Sequence, residues 1–100
     1  MRVIAVSSLR RFAEAHPQAQ PALFRWYDLM RHGNFGTMSS VQATFAKAKV
    51  LNADRVRFEI AGGQYRLIAA FDFEKQIVFV KFLGTHSAYD AVDALTVSQF

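Results

Sequence analysis

Apolar and polar positions follow two regimes along the chain: a helical period over the first half and a period of two over residues 55–83. Residues 2–6 read as a short strand rich in Val and Ile, closed by Ser7-Ser8. Ser7 or Ser8 is predicted to N-cap a helix running to about His16. Leu9, Phe12 and Ala13 fall on one of its faces, and Arg10, Arg11 and Glu14 on the other. Pro17 ends it. A second helix is predicted over 19–32, with the stripe Leu23, Trp26, Tyr27 and Met30, Pro21 in the first turn and Gly33-Asn34 as the stop. Ser39-x-x-Gln42 has the spacing of a capping box and predicts a third, short helix. Residues 47–54 read as a connector that turns at Asn52-Ala53-Asp54.

The second half alternates. Val56, Phe58 and Ile60 share one face of a strand over 55–61, and Arg55, Arg57 and Glu59 share the other. Gly62-Gly63 predicts a hairpin into a strand over 64–73, and Glu74-Lys75 a second turn into a strand over 76–83. A two-residue first turn pairs Glu59 with Arg66 and Arg57 with Ile68; a two-residue second turn pairs Ile68 with Lys81 and Arg66 with Leu83. Arg57, Glu59, Arg66, Phe79 and Lys81 then lie on one side of the meander. Leu67, Ala69, Phe71, Val78, Val80 and Phe82 lie on the other, under the helices. A helical turn or two is predicted within 87–94. The expected fold is α+β, β-α-α-α-β-β-β-α, a mostly antiparallel four-stranded sheet with helices packed on one face.

Composition narrows the partners. One hundred residues, 52% hydrophobic and 20% charged, fit a single domain over 1–100 with one core. The formal net charge is +4, and eight of the twelve cations are Arg, which favours an anionic partner. Cysteine is absent, which excludes disulfides, a thiolate nucleophile and a Cys zinc site. No apolar run approaches a membrane span of roughly 18 residues, and the N-terminal apolar stretch is too short for a signal peptide. The expectation is a soluble cytoplasmic protein without a membrane partner.

Two surfaces bear chemistry. The sheet face with Arg57, Arg66, Phe79 and Lys81 offers cations and a ring, a combination that suits single-stranded RNA; it also fits a solvated face on which Glu59 pairs with Arg66. The segment Gly84-Thr85-His86-Ser87-Ala88-Tyr89-Asp90 follows the last strand, and on a helical turn His86, Tyr89 and Asp90 share a side. Histidine is the side chain that ordinarily exchanges a proton near neutral pH, so this segment is a candidate for proton transfer. It also reads as a capped helix start with Thr85 or Ser87 as N-cap. A metal at His86 and Asp90 would need another ligand, and no motif supplies one; no metal or cofactor is expected.

The motif Arg55-Val56-x-Phe58-x-Ile60-x-Gly62-x-x-Tyr65-Arg66-Leu67, followed by Val78-Phe79-Val80-Lys81-Phe82-Leu83-Gly84-Thr85-His86-x-x-Tyr89-Asp90, resembles the HigB toxins of the RelE-like superfamily. Leu9-Arg10-x-Phe12, His16-Pro17 and Trp26-Tyr27 are similar to the family too, so the resemblance spans about residues 1–95. It implies a RelE-like fold and a ribosome-dependent mRNA endoribonuclease of a type II toxin–antitoxin system, silenced by a HigA-type helix-turn-helix antitoxin. It also implies metal-free cleavage by the RNA's own 2′-OH. The matching positions are Arg66, Lys81, His86, Tyr89 and Asp90 as catalytic candidates, and the sheet face of Arg57, Arg66, Phe79 and Lys81 is the candidate RNA-binding surface beside them. On that reading Arg66 and Lys81 stabilise the phosphorane, His86 carries a proton, Tyr89 stacks or assists, and Asp90 orients His86 or caps the helix. Glu59 is a second candidate for the base. Glu59 stands where relatives often have Asn, and Ala70 where they often have a basic residue; Arg57, where relatives tend to be apolar, offsets the lost charge. The competing readings are a non-catalytic RNA-binding domain and a protein-interaction module on the same basic face.

Overall fold

The computed structural model describes residues 1–100. Strand β1 (Arg2–Ile4) leads into helix α1 (Val6–Ala15), and a 3-10 turn at Pro17–Ala19 leads into α2 (Gln20–His32). Helix α3 (Met38–Thr44) and a two-residue strand β2 (Lys49–Val50) precede the meander β3 (Arg55–Ile60), β4 (Tyr65–Asp72) and β5 (Ile77–Thr85); α4 (His86–Asp90) follows. The sheet order is β1-β5-β4-β3-β2. Only β1 runs parallel to its neighbour, pairing Val3 with Val78; the other pairs are antiparallel.

The α+β class holds, with five strands rather than four. The additional strand is β2, where Lys49 pairs with Arg57 and Val50 with Val56. A two-residue strand shows no period, which is why 47–54 reads as a connector. The predicted caps of α1 and α3 move. Helix α1 starts early, with Ala5 rather than Ser7 or Ser8 at the N-cap and no side-chain cap bond, so both serines lie inside its first turn. In α3 the cap is Thr37, whose Oγ1 accepts from the Ser40 amide while Ser40 Oγ accepts from the Thr37 amide, both at 3.2 Å. The Ser39–Gln42 pair sits two residues too late to act.

The core lies between the helices and one sheet face. Leu9, Leu23, Met30 and Val41 are fully buried against Val56, Leu67 and Val78. Trp26 meets Phe58 edge-on, ring centroids 5.4 Å apart, a geometry worth about 0.5–1.5 kcal/mol beyond the area buried. The Met1 ammonium donates to the carbonyls of Met30, Arg31 and Gly33 at 3.1, 3.2 and 3.0 Å, placing a positive charge on the negative end of α2.

The register of β3 on β4 is the predicted one: Arg57 faces Ile68 and Glu59 faces Arg66. That of β4 on β5 is predicted correctly only from Ala69 to Asp72. A β-bulge follows, with Ala69 facing Val80, Ile68 facing Phe82 and Lys81 left over as the extra residue. Beyond it the pairing differs from expectation by one residue, so Arg66 faces Gly84 and Leu83 faces Leu67. The physical reason is in the sequence Lys81-Phe82-Leu83. Strict alternation would have sent Leu83 outward; the bulge buries it in the core and keeps Lys81 outside. Phe82, expected in the core, is instead buried on the outer face with Ile68 and Ala70, apart from the main cluster.

The outer face is therefore not simply solvated. The chain after α4 returns to it. Arg55 Nη1 donates to the carbonyls of Ala94 and Val97 at 3.1 and 2.8 Å, the Gln99 amide donates to the Lys81 carbonyl at 2.9 Å, and Gln99 Oε1 accepts from the Leu83 amide at 2.8 Å. Residues 94–99 thus tie β3 to the free edge of β5.

Candidate active site

Strands β3 and β4 place Arg57, Glu59 and Arg66 on the outer face because residues two apart on a strand, and residues paired across a ladder, share a side. Their side chains meet. Arg57 Nη2 lies 3.1 Å and Arg66 Nη1 3.4 Å from the same carboxylate oxygen, Glu59 Oε2. Side-chain exposures of 17%, 22% and 21% for Arg57, Glu59 and Arg66 show a sunken cluster rather than free surface arginines. The Nε of each arginine is buried without a partner.

The β3–β4 turn closes over this cluster. Gly62 and Gly63 adopt φ of +69° and +93°, conformations that favour glycine, and a Cβ at Gly63 would stand 2.9 Å from Glu59 Oε1. The same turn holds α4: the His86 amide donates to the Gln64 carbonyl at 3.0 Å. Thr85 is the N-cap, accepting from the Ala88 amide at 3.1 Å, as one of the two sequence readings has it.

On β5 the Lys81 ammonium lies 5.5 Å from the centroid of the Phe79 ring. In α4, His86 Nδ1 is 3.8 Å from Asp90 Oδ2, with both side chains exposed. The Tyr89 ring packs toward Phe82, ring centroids 6.2 Å apart. Gly84 makes room for this ring: a Cβ there would stand 2.8 Å from Phe82 Cζ.

The predicted residues thus form three groups: Arg57 and Arg66 on Glu59, Lys81 on Phe79, and His86 with Asp90. No hydrogen bond or ion pair joins one group to another. Strand pairing sets their order. Glu59, Arg66 and Gly84 form one row across β3, β4 and β5, and His86 lies two residues beyond Gly84. No three His, Asp or Glu side chains converge as metal ligands. Sequence reasoning missed Phe82, Arg55 and Gln99. The adjacent apolar pair Phe82-Leu83 was the available sign of a break in alternation; nothing local marks Arg55 or Gln99 as partners of a distant segment.

These features define a small α+β domain with a cationic face on its sheet, bordered by a histidine-bearing helical turn. Residues 19–92 match the family model described as HigB_toxin, RelE-like toxic component of a toxin-antitoxin system. The chain is 29% identical over 98 residues to the mRNA interferase toxin HigB of Escherichia coli (strain K12), covering 95% of this chain and 93% of that protein. The mRNA interferases HigB of Escherichia coli O157:H7 and Shigella flexneri match with the same identity and coverage. The chain belongs to the HigB toxin family, the RelE-like toxic components of toxin–antitoxin systems.

Proposed function

We propose that this chain is an endoribonuclease that cuts mRNA on the ribosome, in the bacterial cytoplasm, and is held inactive by a HigA-type helix-turn-helix antitoxin. The observation that carries the reading is the row Glu59–Arg66–Gly84 with His86 just past its end, in a chain of this toxin family. Cleavage by the RNA's own 2′-OH needs a base, charge stabilisation at the phosphorane and an acid for the 5′-oxygen. Arg66 and Lys81 provide the cations. His86, exposed at the start of α4, is the proton carrier, and Asp90 orients its ring through Nδ1. Tyr89, packed toward Phe82, flanks the site as a stacking surface. Arg57 and Phe79 extend RNA binding along the face. The products are a 2′,3′-cyclic phosphate and a 5′-OH, formed without a metal ion.

The relatives' name supports mRNA as substrate. The test is induced expression in a bacterium, with and without the antitoxin, and primer extension on mRNA. Growth arrest with new 5′-OH ends, both prevented by the antitoxin, is the expected result. Normal growth with abundant folded protein counts against it. Repeating the cut with purified components, with and without ribosomes and with a chelator, checks ribosome dependence and the metal-free chemistry.

A further inference from the structure

Two guanidiniums converge on one carboxylate oxygen, Glu59 Oε2, while Oε1 receives no hydrogen bond and the Nε of Arg57 and of Arg66 stays unpartnered. The cluster is unbalanced in both charge and donors. Two cations face one anion, so a net positive charge remains, and the surplus N–H donors exceed what one carboxylate can accept. A guanidinium pair with this surplus matches a phosphodiester, which offers two non-bridging oxygens in the fork geometry arginine prefers. The position such an oxygen would take between the two forks is the one that Glu59 Oε2 occupies.

We propose that Glu59 is an internal counterion of a two-arginine phosphate site, which an RNA phosphate must displace in order to bind. This rests on the ribonuclease reading for the identity of the strand. The consequence is selectivity. A lone phosphate or a very short strand competes poorly with a tethered carboxylate already in place. A strand that also reaches Lys81 and the Phe79 ring has further contacts to drive the exchange. Glu59 thus keeps the arginines extended and sheltered in the free protein while disfavouring small anions. Gly63 belongs to the device, because a side chain there would press on the carboxylate at 2.9 Å.

The experiment compares the parent, Glu59→Gln and Glu59→Ala in binding a six-nucleotide single-stranded DNA, which lacks the 2′-OH and is not cut. Affinity is read by fluorescence anisotropy across a salt series, and melting is followed with and without inorganic phosphate. Glu59→Gln is expected to bind roughly tenfold tighter, the ratio that one hydrogen bond to a charged group supplies. Its salt slope should steepen by about 0.7 for each phosphate newly engaged. Phosphate should raise its melting temperature more than the parent's. If a variant is unfolded in dilute buffer, phosphate should restore its transition; failure to do so overturns the proposal. Equal or weaker binding by a folded Glu59→Gln also overturns it. Cutting of mRNA by the parent is measured in parallel. A parent that cuts, with no gain in Glu59→Gln, sinks this inference alone. A parent that never cuts, with the gain present, sinks the ribonuclease reading and leaves the phosphate site standing.

Discussion

Lys81 holds its ammonium 5.5 Å from the centroid of the Phe79 ring, two residues back on the same strand. The half-buried ring is a candidate stacking surface for an unstacked base. Phe79→Ala is therefore expected to weaken single-stranded RNA binding by about 1–3 kcal/mol, the range for loss of one base–aromatic stack. Phe79→Leu should recover little of it, since a leucine has no π-face. Titration of an uncleavable oligonucleotide checks this, and parental affinity in Phe79→Ala would remove the ring from the interface.

Lys81 is the extra residue of the bulge, so deleting it leaves both flanking registers in place: Ala69 can still face Val80 and Ile68 can still face Phe82. The deletion variant should fold with the same core while losing the ammonium and the local twist. Its cleavage rate should fall further than that of Lys81→Ala, which keeps the bulge. Circular dichroism melts beside a cleavage assay decide it; equal rates in the two variants would show that only the charge matters.

Arg66→Ala should lower mRNA cleavage about 100- to 1,000-fold, the usual cost of losing one group that stabilises transition-state charge. His86→Ala should lower it about 100- to 10,000-fold. The stability consequences differ. The His86 side chain is exposed, so its loss should leave the melting curve within the roughly 0.5 kcal/mol spread of surface substitutions. Arg66 is mostly covered and shares Glu59 with Arg57, so its truncation should cost up to about 1 kcal/mol. Parental cleavage rates in both folded variants would place the chemistry elsewhere.

The period-two pattern over 55–61 and the Gly62-Gly63 turn are local signals, and they specify the β3–β4 register, hence the meeting of Glu59 with Arg66. The α2 stripe Leu23, Trp26 and Met30 is local in the same sense. What escaped depends on competition between distant groups. The bulge forms because Leu83 gains more from the core than a regular ladder would return, a balance no turn residue announces. Glu59 pairing with two arginines at once follows from rotamers, which patterning does not contain. Binding of the 94–99 segment to Arg55 and β5 joins residues about forty and about twenty positions apart, with no motif at either end.

RNA affinity should fall steeply with ionic strength. With Arg57 and Arg66 sharing one phosphate and Lys81 engaging a second, the slope of log affinity against log salt should be about −1.4, at about −0.7 per phosphate on a single strand. A flat response between low and moderate salt would mean that the cations serve the fold alone.

Removing residues 94–100 should leave the Arg55 guanidinium, the Lys81 carbonyl and the Leu83 amide without their present partners and open the outer face beside them. The truncated chain is expected to melt several degrees lower, since about 1 kcal/mol shifts a domain of this size by roughly 4–8 °C. It should also bind a hydrophobic dye. Arg55→Ala should reproduce part of the shift. An unchanged melt would show that the segment lies on the face without supporting it.

The parallel pairing of β1 with β5 sets an order of events during folding. The meander β3–β4–β5 closes through two short turns, whereas Val3 meets Val78 only after some seventy intervening residues have been ordered. Short loops close at lower entropic cost, so the meander is expected to form early and β1 to dock late. On that order the arginine–carboxylate cluster takes shape before the sheet has its last strand. Substitutions at Val3 or Ile4 should hasten unfolding and leave the refolding rate nearly untouched. In the native ensemble, amides along the β1 edge should exchange with solvent through partial opening, while those of β4 wait for the whole molecule to come apart.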